Sequence, residues 1–329
     1  MNGFNPVLYL LAFALIWVGS GLTVNSIERI AKRLKMNTFI VSFVILGIFT
    51  TLPEIFLAVN STVQGTPEIS AGNLLGGIIV LFLLLIPLIA IAGKGAKIIK
   101  DISQVKLFLS AIAIILPTLF LLDGYVGGTE GLLFLAAYTG LIFFVERDSR
   151  PQKIENKAVA KPKKQKRRQI NMGLTTYFGK LILGVVLIFI SSDIILDNTL
   201  KLAQLLDMST FIISLFIISL GTNLPEFTVG IRSILQKDKN IALGNYVGSA
   251  TANTLLFGFL VLINPTGVYI KDEKFALTAG LIIVAILLFY IFTITKKVLS
   301  PKEGFILLGL YITFVVLEIG YTLSAEATT

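Results

Sequence analysis

The same short pattern occurs twice in this chain, each time inside a long apolar segment. Residues 50–54 read Thr-Thr-Leu-Pro-Glu, and residues 222–226 read Thr-Asn-Leu-Pro-Glu. A carboxylate is expensive to place near the centre of a bilayer, so acidic residues there usually have a functional role. The preceding proline removes one helix hydrogen bond. We therefore predict two interrupted helices, whose carboxylates Glu54 and Glu226 contribute to one central polar site.

The composition is that of an integral membrane protein. Of the 329 residues, 55% are hydrophobic and only 14% are charged, whereas soluble domains carry about 25% charged residues. The first apolar run lacks the basic start and the cleavage site of a signal peptide, so we expect it to be retained. Apolar runs near the roughly 20 residues that a membrane-spanning helix needs cover residues 6–24, 38–61, 69–92, 105–122, 131–146, 174–196, 209–233, 241–263, 274–294 and 303–324.

Positive charge is concentrated in one polar segment between the fifth and sixth spans. Ten of the 28 basic residues lie in residues 147–172, and Lys and Arg are enriched in cytoplasmic loops. We predict a plasma-membrane protein with this linker in the cytoplasm and both termini outside. Orientation is the preferred role of the charge, and binding of anionic lipid headgroups is a second hypothesis; nucleic acid is not expected as a partner. The linker separates two halves, residues 1–146 and 173–329.

The two halves are repeats. A constant offset of 172 residues aligns residues 36–76 with residues 208–248 without a gap, matching methionine, threonine, serine, glycine and asparagine positions. Each half holds five predicted spans, an odd number, so the second half enters the membrane upside down. Inverted repeats of this kind are typical of secondary transporters, whose ion sites lie near the bilayer midplane on interrupted helices.

The residue types restrict the chemistry of such a site. Cysteine and histidine are absent from the sequence, which excludes disulfides, thiolate or imidazole metal sites and a histidine proton carrier. Carboxylate, amide, hydroxyl and carbonyl oxygens remain, and these suit sodium, calcium or magnesium rather than copper or zinc. No nucleotide-binding or catalytic-triad pattern is present, so we expect neither an enzyme nor a bound cofactor.

The span after each Leu-Pro-Glu segment carries a second pattern. Residues 72–77 and 244–249 both begin Gly-Asn and have another glycine four residues later. Such glycines usually allow membrane helices to pack closely, so packing is the expected role of the glycines at 76, 77 and 248. The two asparagines, Asn73 and Asn245, are expected to bond the interrupted helices rather than an ion.

These motifs resemble those of the cation/calcium exchanger superfamily, and the chain is most similar to its compact prokaryotic sodium/calcium exchangers. The resemblance implies an all-α membrane protein of ten transmembrane helices, arranged as two inverted five-helix repeats. It also implies that spans 2, 3, 7 and 8 form a four-site cation cluster. Spans 1 and 6, which hold residues 20–22 and 192–194, would slide across that core. The implied cation ligands are Glu54, Glu226, Thr50, Thr51, Thr222, Asn223, Ser249 and Asn253.

The sequence departs from the family pattern at four positions. The first-repeat counterparts of two ligands are Gly77 and Leu81, which have no side-chain oxygen. Asn223 replaces a serine of the motif, and Phe49 replaces a glycine. We therefore expect the third span to contribute fewer ligands, although two carboxylates still neutralise one divalent cation.

The favoured function is a secondary antiporter, acting as a monomer, that exchanges calcium for sodium. A cation/proton exchanger remains open, because a proton on one glutamate can replace a sodium ion. A passive channel or a degenerate, non-transporting member has only the missing ligands in its favour. Asp193 and Asp197 lie near the end of the predicted sixth span, where an entrance role is an alternative to simple hydration. Glu318 in the last span is expected to snorkel or to be hydrogen bonded.

Overall fold

The protein is built almost entirely of helices. The structure, a computed structural model, describes residues 3–33, 51–97, 103–148, 173–235, 240–270, 275–296 and 298–326. The helices are α1 (Pro6–Arg33), α2 (Leu52–Val63), α3 (Pro67–Ala92), α4 (Gln104–Phe120), α5 (Gly128–Asp148), α6 (Leu174–Leu206), α7 (Thr210–Thr222), α8 (Leu224–Leu235), α9 (Asn240–Ile263), α10 (Phe275–Lys296) and α11 (Pro301–Glu326).

Within the described residues, seven helices are long and apolar enough to cross a membrane. Two shorter apolar helices, α2 and α7, lie at the Leu-Pro-Glu segments. Helices suit this setting because they satisfy every internal backbone hydrogen bond without water. The total of ten transmembrane helices stays a prediction, since most of the second predicted span before Thr51 lies outside the described residues.

Helix α6 is longer than the sequence pattern indicated. It continues to Leu206, ten residues past the predicted end, because its polar side chains find partners there. Thr199 shares a hydrogen bond of 2.8 Å with the Tyr9 hydroxyl of α1, and Lys201 pairs with Asp197 at 2.6 Å. Asp193 and Asp197 therefore lie inside this longer helix, where both side chains are exposed. Helix α5 likewise extends through residues 147–148, while linker residues 149–172 lie outside the described part.

The predicted interruption is present in the second repeat. Helix α7 ends at Thr222, Asn223 forms a turn, and α8 begins at Leu224. Pro225 has no N–H to donate to the carbonyl of Gly221, so a regular helix cannot continue through this point. In the first repeat, α2 begins at Leu52 with proline in its first turn, and the residues before Thr51 lie outside the described part.

Glycines on α3 allow α7 to approach closely. A Cβ at Gly72 would lie 2.5 Å from the carbonyl oxygen of Phe211, and a Cβ at Gly76 would overlap the carbonyl oxygen of Leu215 and the side chain of Ser219. The contact falls on a π-helical turn of α7, Ser214–Ile218. Close packing is therefore confirmed as the role of Gly76. It is what places the polar residues of α3 beside the interrupted helix.

Helices α1 and α6 pack together through small residues. A Cβ at Gly19 would lie 2.8 Å from the carbonyl oxygen of Gly184, and one at Gly184 would lie 2.5 Å from the Thr23 hydroxyl. The opposite faces of the pair are apolar and exposed, as at Leu10 and Ile182. This pair lies at the periphery, with its exposed faces suited to lipid.

Two short antiparallel strand pairs tie loops between helices. Strand β1 (Ala96–Lys97) pairs with β4 (Val298–Leu299), and β2 (Tyr125–Val126) pairs with β3 (Val268–Tyr269). Each pair joins a loop of the first half to a loop of the second half. The two halves of the chain are therefore connected at both loop clusters as well as through the helix packing.

We expect Gly76→Ala to lower the stability of the folded protein by about 1–3 kcal/mol, because the new methyl group overlaps backbone atoms of α7. Thermal unfolding of the detergent-purified protein measures this loss. Gly309→Ala is the matched control, since a Cβ at Gly309 has nothing within 4 Å. An equal effect of the two substitutions would contradict the proposed packing.

Candidate functional site

Two buried carboxylates form the centre of the site. Glu54 lies in the first turn of α2 and Glu226 in the first turn of α8, and their side chains are only 5% and 2% exposed. The two carboxylates lie close enough to repel one another electrostatically. Helix N-termini favour negative charge, but two buried like charges still need compensation by a cation or by donors.

Thr222 connects α3 to the first carboxylate. Its hydroxyl donates a hydrogen bond of 2.9 Å to Oδ1 of Asn73 and also contacts the carboxylate of Glu54. One hydroxyl proton cannot serve both acceptors at once, so a cation beside Glu54 can take the place of that donor. The predicted role of Asn73, bonding the interrupted helix, is confirmed; the side chain of Asn245 lies outside the described part.

Two asparagine side chains are oriented by backbone carbonyls. Nδ2 of Asn223 donates to the carbonyl of Ser219 at 2.7 Å, and Nδ2 of Asn253 donates to the carbonyl of Leu74 at 3.1 Å. Because a carbonyl can only accept, these contacts determine which end of each amide is nitrogen. Oδ1 is then the atom that each side chain has left to offer to a cation.

The second carboxylate is held by residues of α9. The hydroxyl of Ser249 donates to Oε1 of Glu226 at 3.4 Å. The hydroxyl of Tyr246 donates to the backbone carbonyl of Glu226 at 2.8 Å, which fixes the first turn of α8 against α9. Sequence reasoning missed Tyr246, and the only available signal was its place within the Gly-Asn-Tyr pattern.

The first-repeat side of the site differs from the second. A Cβ at Gly77 would lie 3.1 Å from Nδ2 of Asn253 and 3.3 Å from Nδ2 of Asn223. Gly77 thus lets the amide side chains of α9 and of the turn between α7 and α8 approach closely, which agrees with its predicted role in packing. Leu81, one turn later, is buried in the main hydrophobic core. Neither residue supplies an oxygen ligand, as the sequence indicated.

One carboxylate oxygen of the site lacks a donor. Oε2 of Glu54 is buried and has no hydrogen-bond partner among the described residues. A buried carboxylate oxygen without a donor costs free energy, so this residue set fits a bound cation with oxygen preference.

The other predicted residues are two threonines of the first repeat, two acids of α6 and one acid of α11. Thr51 lies directly before α2 and is buried, while Thr50 lies outside the described residues. Asp193 accepts a hydrogen bond of 3.4 Å at the surface from Gln64, the residue directly after α2. Asp197 pairs with a lysine of its own helix. Glu318 is buried on α11, which packs against α10 and the second half of α3.

A second polar contact links α2 to α6. Nδ2 of Asn60 donates to the hydroxyl of Ser192 at 2.8 Å, and both side chains are buried. Ser192 in turn donates to the carbonyl of Phe189. Together with the bond from Gln64 to Asp193, this contact attaches the peripheral helix pair to the helix that carries Glu54.

An aromatic ring covers the helix interruption. A Cβ at Gly221 would overlap the ring of Phe13 on α1, and Phe13 is itself almost completely buried. Tyr9 packs against Phe13 with ring centroids 4.9 Å apart and the rings tilted by 60°. The residue before Thr222 must therefore be glycine, since only glycine leaves room for this ring.

Comparison with known proteins links the fold to one group. The family model described as sodium/calcium exchanger protein matches residues 4–146 and 176–320. An uncharacterized membrane protein of Methanocaldococcus jannaschii is 26% identical, over 92% of this chain and 94% of its own length. A sodium/calcium exchanger of Methanosarcina acetivorans is 24% identical, over 95% of this chain and 97% of its own length.

A solved structure shares the fold. The structure of the sodium-calcium exchanger NCX_Mj, soaked with sodium and strontium ions, superimposes with a TM-score of 0.66 and 23% sequence identity. The alignment covers 94% of this chain and 96% of that chain. The helical architecture described above is therefore that of NCX_Mj over nearly the whole length.

We expect the effects of substitutions at Phe13 and Gly221 on stability to depend on each other. Gly221→Ala should lower the free energy of unfolding by about 1–3 kcal/mol because its methyl group collides with the ring. Gly221→Ala should cost much less in a Phe13→Val background than in the unsubstituted protein, which a double-mutant cycle on thermal unfolding measures. Losses that simply add would contradict the contact.

Proposed function

Because this chain belongs to the sodium/calcium exchanger family, we propose that it is a secondary antiporter that moves calcium across the membrane in exchange for sodium. The supporting observation is the pair of buried carboxylates, Glu54 and Glu226. Each lies in the first turn of a helix, directly after a proline. Around them lie hydroxyl and amide groups whose hydrogen bonds leave oxygen atoms available.

This ligand set suits calcium. Calcium takes 6–8 oxygen ligands from carboxylates, amides, hydroxyls, carbonyls and water. Two carboxylates neutralise one divalent cation, and the break before Pro225 frees the carbonyl of Gly221 as a further oxygen. The ligands that we propose are Glu54, Glu226, Thr50, Thr51, Thr222, Asn223, Ser249 and Asn253.

We propose that the site is shared by two inverted repeats. The positions of the strand pairs support this arrangement: β3 lies 172 residues after β1, and each of them pairs with a loop of the opposite half. On this proposal the termini lie outside the plasma membrane and the basic linker lies in the cytoplasm, where it can contact anionic lipid headgroups. The proposed functional unit is the monomer.

Alternating access requires an element that moves relative to the site. We propose that the peripheral pair α1–α6 is that element. Its internal contacts are tight, at Gly19 and Gly184, whereas buried side-chain hydrogen bonds such as Asn60 to Ser192 connect it to α2. Exchange follows because the site is exposed to only one side at a time and the α1–α6 pair moves across it only when the carboxylates are neutralised.

Exchange against protons is the second candidate. The observation that favours it is the lack of side-chain oxygens at Gly77 and Leu81, which reduces the ligands available for several sodium ions. The same lack is the only support for a passive channel or a degenerate member. The retained hydroxyl and amide cluster around both carboxylates favours a working exchanger.

We expect Glu54→Gln or Glu226→Gln to abolish calcium flux in reconstituted vesicles. Removing one of two buried charges that compensate a divalent cation costs about 3–5 kcal/mol, or more than about 100-fold in binding. Asp123→Asn is the control, because Asp123 lies in an exposed loop and caps Tyr125. Unchanged exchange in either glutamine variant would refute the site assignment.

Calcium uptake into proteoliposomes under separate gradients identifies the coupling ion. We expect an outward sodium gradient to drive uptake at equal pH on both sides, because the site offers hydroxyl and amide oxygens to sodium. A pH gradient alone should drive little uptake. Uptake that follows the pH gradient and ignores sodium would select the proton-coupled alternative instead.

A further inference from the structure

We propose that Asn60 of α2 and Ser192 of α6 form a latch, a buried hydrogen bond that holds the α1–α6 pair in the position seen in this structure. The bond has to break each time the pair moves relative to the cation site. The proposal rests on the proposed alternating access and gives a positioning role to two residues outside the proposed ligand set. Three features support it: the bonds across the contact, the rigidity of the parts that it joins, and the different groups at the equivalent place in the second repeat.

Two hydrogen bonds cross the contact between α2 and α6. Nδ2 of Asn60 donates to the Ser192 hydroxyl at 2.8 Å, and the two side chains are only 8% and 1% exposed. At the end of α2, Gln64 donates to Asp193 at 3.4 Å. A buried amide that loses its acceptor pays the full cost of its desolvation. The contact therefore favours one relative position of the two helices over its neighbours.

The α1–α6 pair is tied together along its length and can move as one body. The Tyr9 and Thr199 hydroxyls share a buried bond of 2.8 Å at one end. In the middle, the backbone of α6 lies so close to Gly19 that a Cβ would meet it at 2.8 Å. At the other end, the guanidinium of Arg33 lies over the ring of Tyr177, 5.6 Å from its centroid. These contacts do not include α2, so opening the latch leaves the pair intact.

Helix α2 connects the latch to the cation site. Glu54 lies in its first turn, and Asn60 follows six residues later in the same helix, which is a rise of about 9 Å. The residues between them include neither proline nor glycine, the usual causes of a kink. A displacement of Glu54 on cation binding is therefore passed along α2 to the latch.

The second repeat has different groups at the equivalent place. At the 172-residue offset, Ser20 of α1 corresponds to Ser192, and Arg232 corresponds to Asn60. The Ser20 hydroxyl is completely buried, yet it has no hydrogen-bond partner among the described residues. Inverted repeats give a transporter two related positions. Because the bond is made at only one of the two equivalent places, it stabilises the position seen here relative to the other one.

The apparent KM for calcium at each face of the membrane reports this equilibrium. Apparent affinity at a face falls with the fraction of the protein that is open to that face. The ratio of the two apparent KM values therefore follows the equilibrium between the two positions. Right-side-out and inside-out membrane vesicles give the two values separately.

We expect Asn60→Leu to change this KM ratio by about 2- to 10-fold, the range for the loss of one intramolecular hydrogen bond. The Ser192 hydroxyl keeps its bond to the carbonyl of Phe189, so the variant leaves that donor satisfied. A local packing defect would instead lower the rate or change both KM values alike. An unchanged ratio in an exchanging Asn60→Leu protein would overturn the latch.

Thr199→Val is the matched control. It also removes a buried hydrogen bond of 2.8 Å, but that bond lies inside the α1–α6 pair. We expect this variant to lower the melting temperature while the KM ratio stays that of the unsubstituted protein. An equal change of the ratio in both variants would contradict a specific role of the contact between α2 and α6.

Distance measurements separate the latch from the function on which it rests. The chain contains no cysteine, so spin labels can be attached through Val63→Cys and Leu205→Cys, two exposed positions near the ends of α2 and α6. In the purified protein, we expect Asn60→Leu to raise the population of a second label distance by about 2- to 10-fold relative to the first, and Thr199→Val to leave the distribution unchanged. An unaltered distribution in Asn60→Leu would refute the latch alone. An altered distribution in a protein that exchanges no calcium would support the latch and refute the exchange function.

Discussion

A carboxylate inside a membrane protein must be compensated by hydrogen-bond donors, by opposite charge or by a bound cation. Glu54 and Glu226 meet this requirement only in part. Both lie in the first turn of a helix, where the backbone favours negative charge, but Oε2 of Glu54 has no hydrogen-bond partner among the described residues. Thr222 donates to Asn73, and the amides of Asn223 and Asn253 each donate one hydrogen bond to a backbone carbonyl. The surroundings thus leave oxygen atoms to a cation.

Close helix packing brings these groups together. The side chains come from four separate segments, so the site exists only while α3 lies directly against α7. Gly72 and Gly76 permit that approach, because a methyl group at either position would meet the backbone of α7. Tyr246 does the equivalent for α8 and α9 through its bond to the carbonyl of Glu226. Stability and ion binding therefore depend on the same small-residue contacts.

The two repeats contribute unequally to the site. Ser249 reaches Glu226, whereas its counterpart Gly77 reaches neither carboxylate and instead makes room for two amides. The missing hydroxyl at Gly77 and the larger side chain of Asn223 are thus neighbours. The amide of Asn223 extends into space that a serine at position 77 would occupy. Such paired changes alter the oxygen atoms that a site offers without changing the helices that form it.

The sequence by itself determined the membrane character, the positions of the helices, the helix break at Pro225 and the two central glutamates. These follow from hydropathy, proline chemistry and a gap-free repeat, all of which are local properties of the chain. The tertiary structure decided which atoms face one another: that Gly77 faces the amides of Asn223 and Asn253, that Phe13 covers Gly221, and that α6 continues to residue 206 against α1. These contacts join residues far apart in sequence, and their partners depend on packing distances that periodicity does not contain.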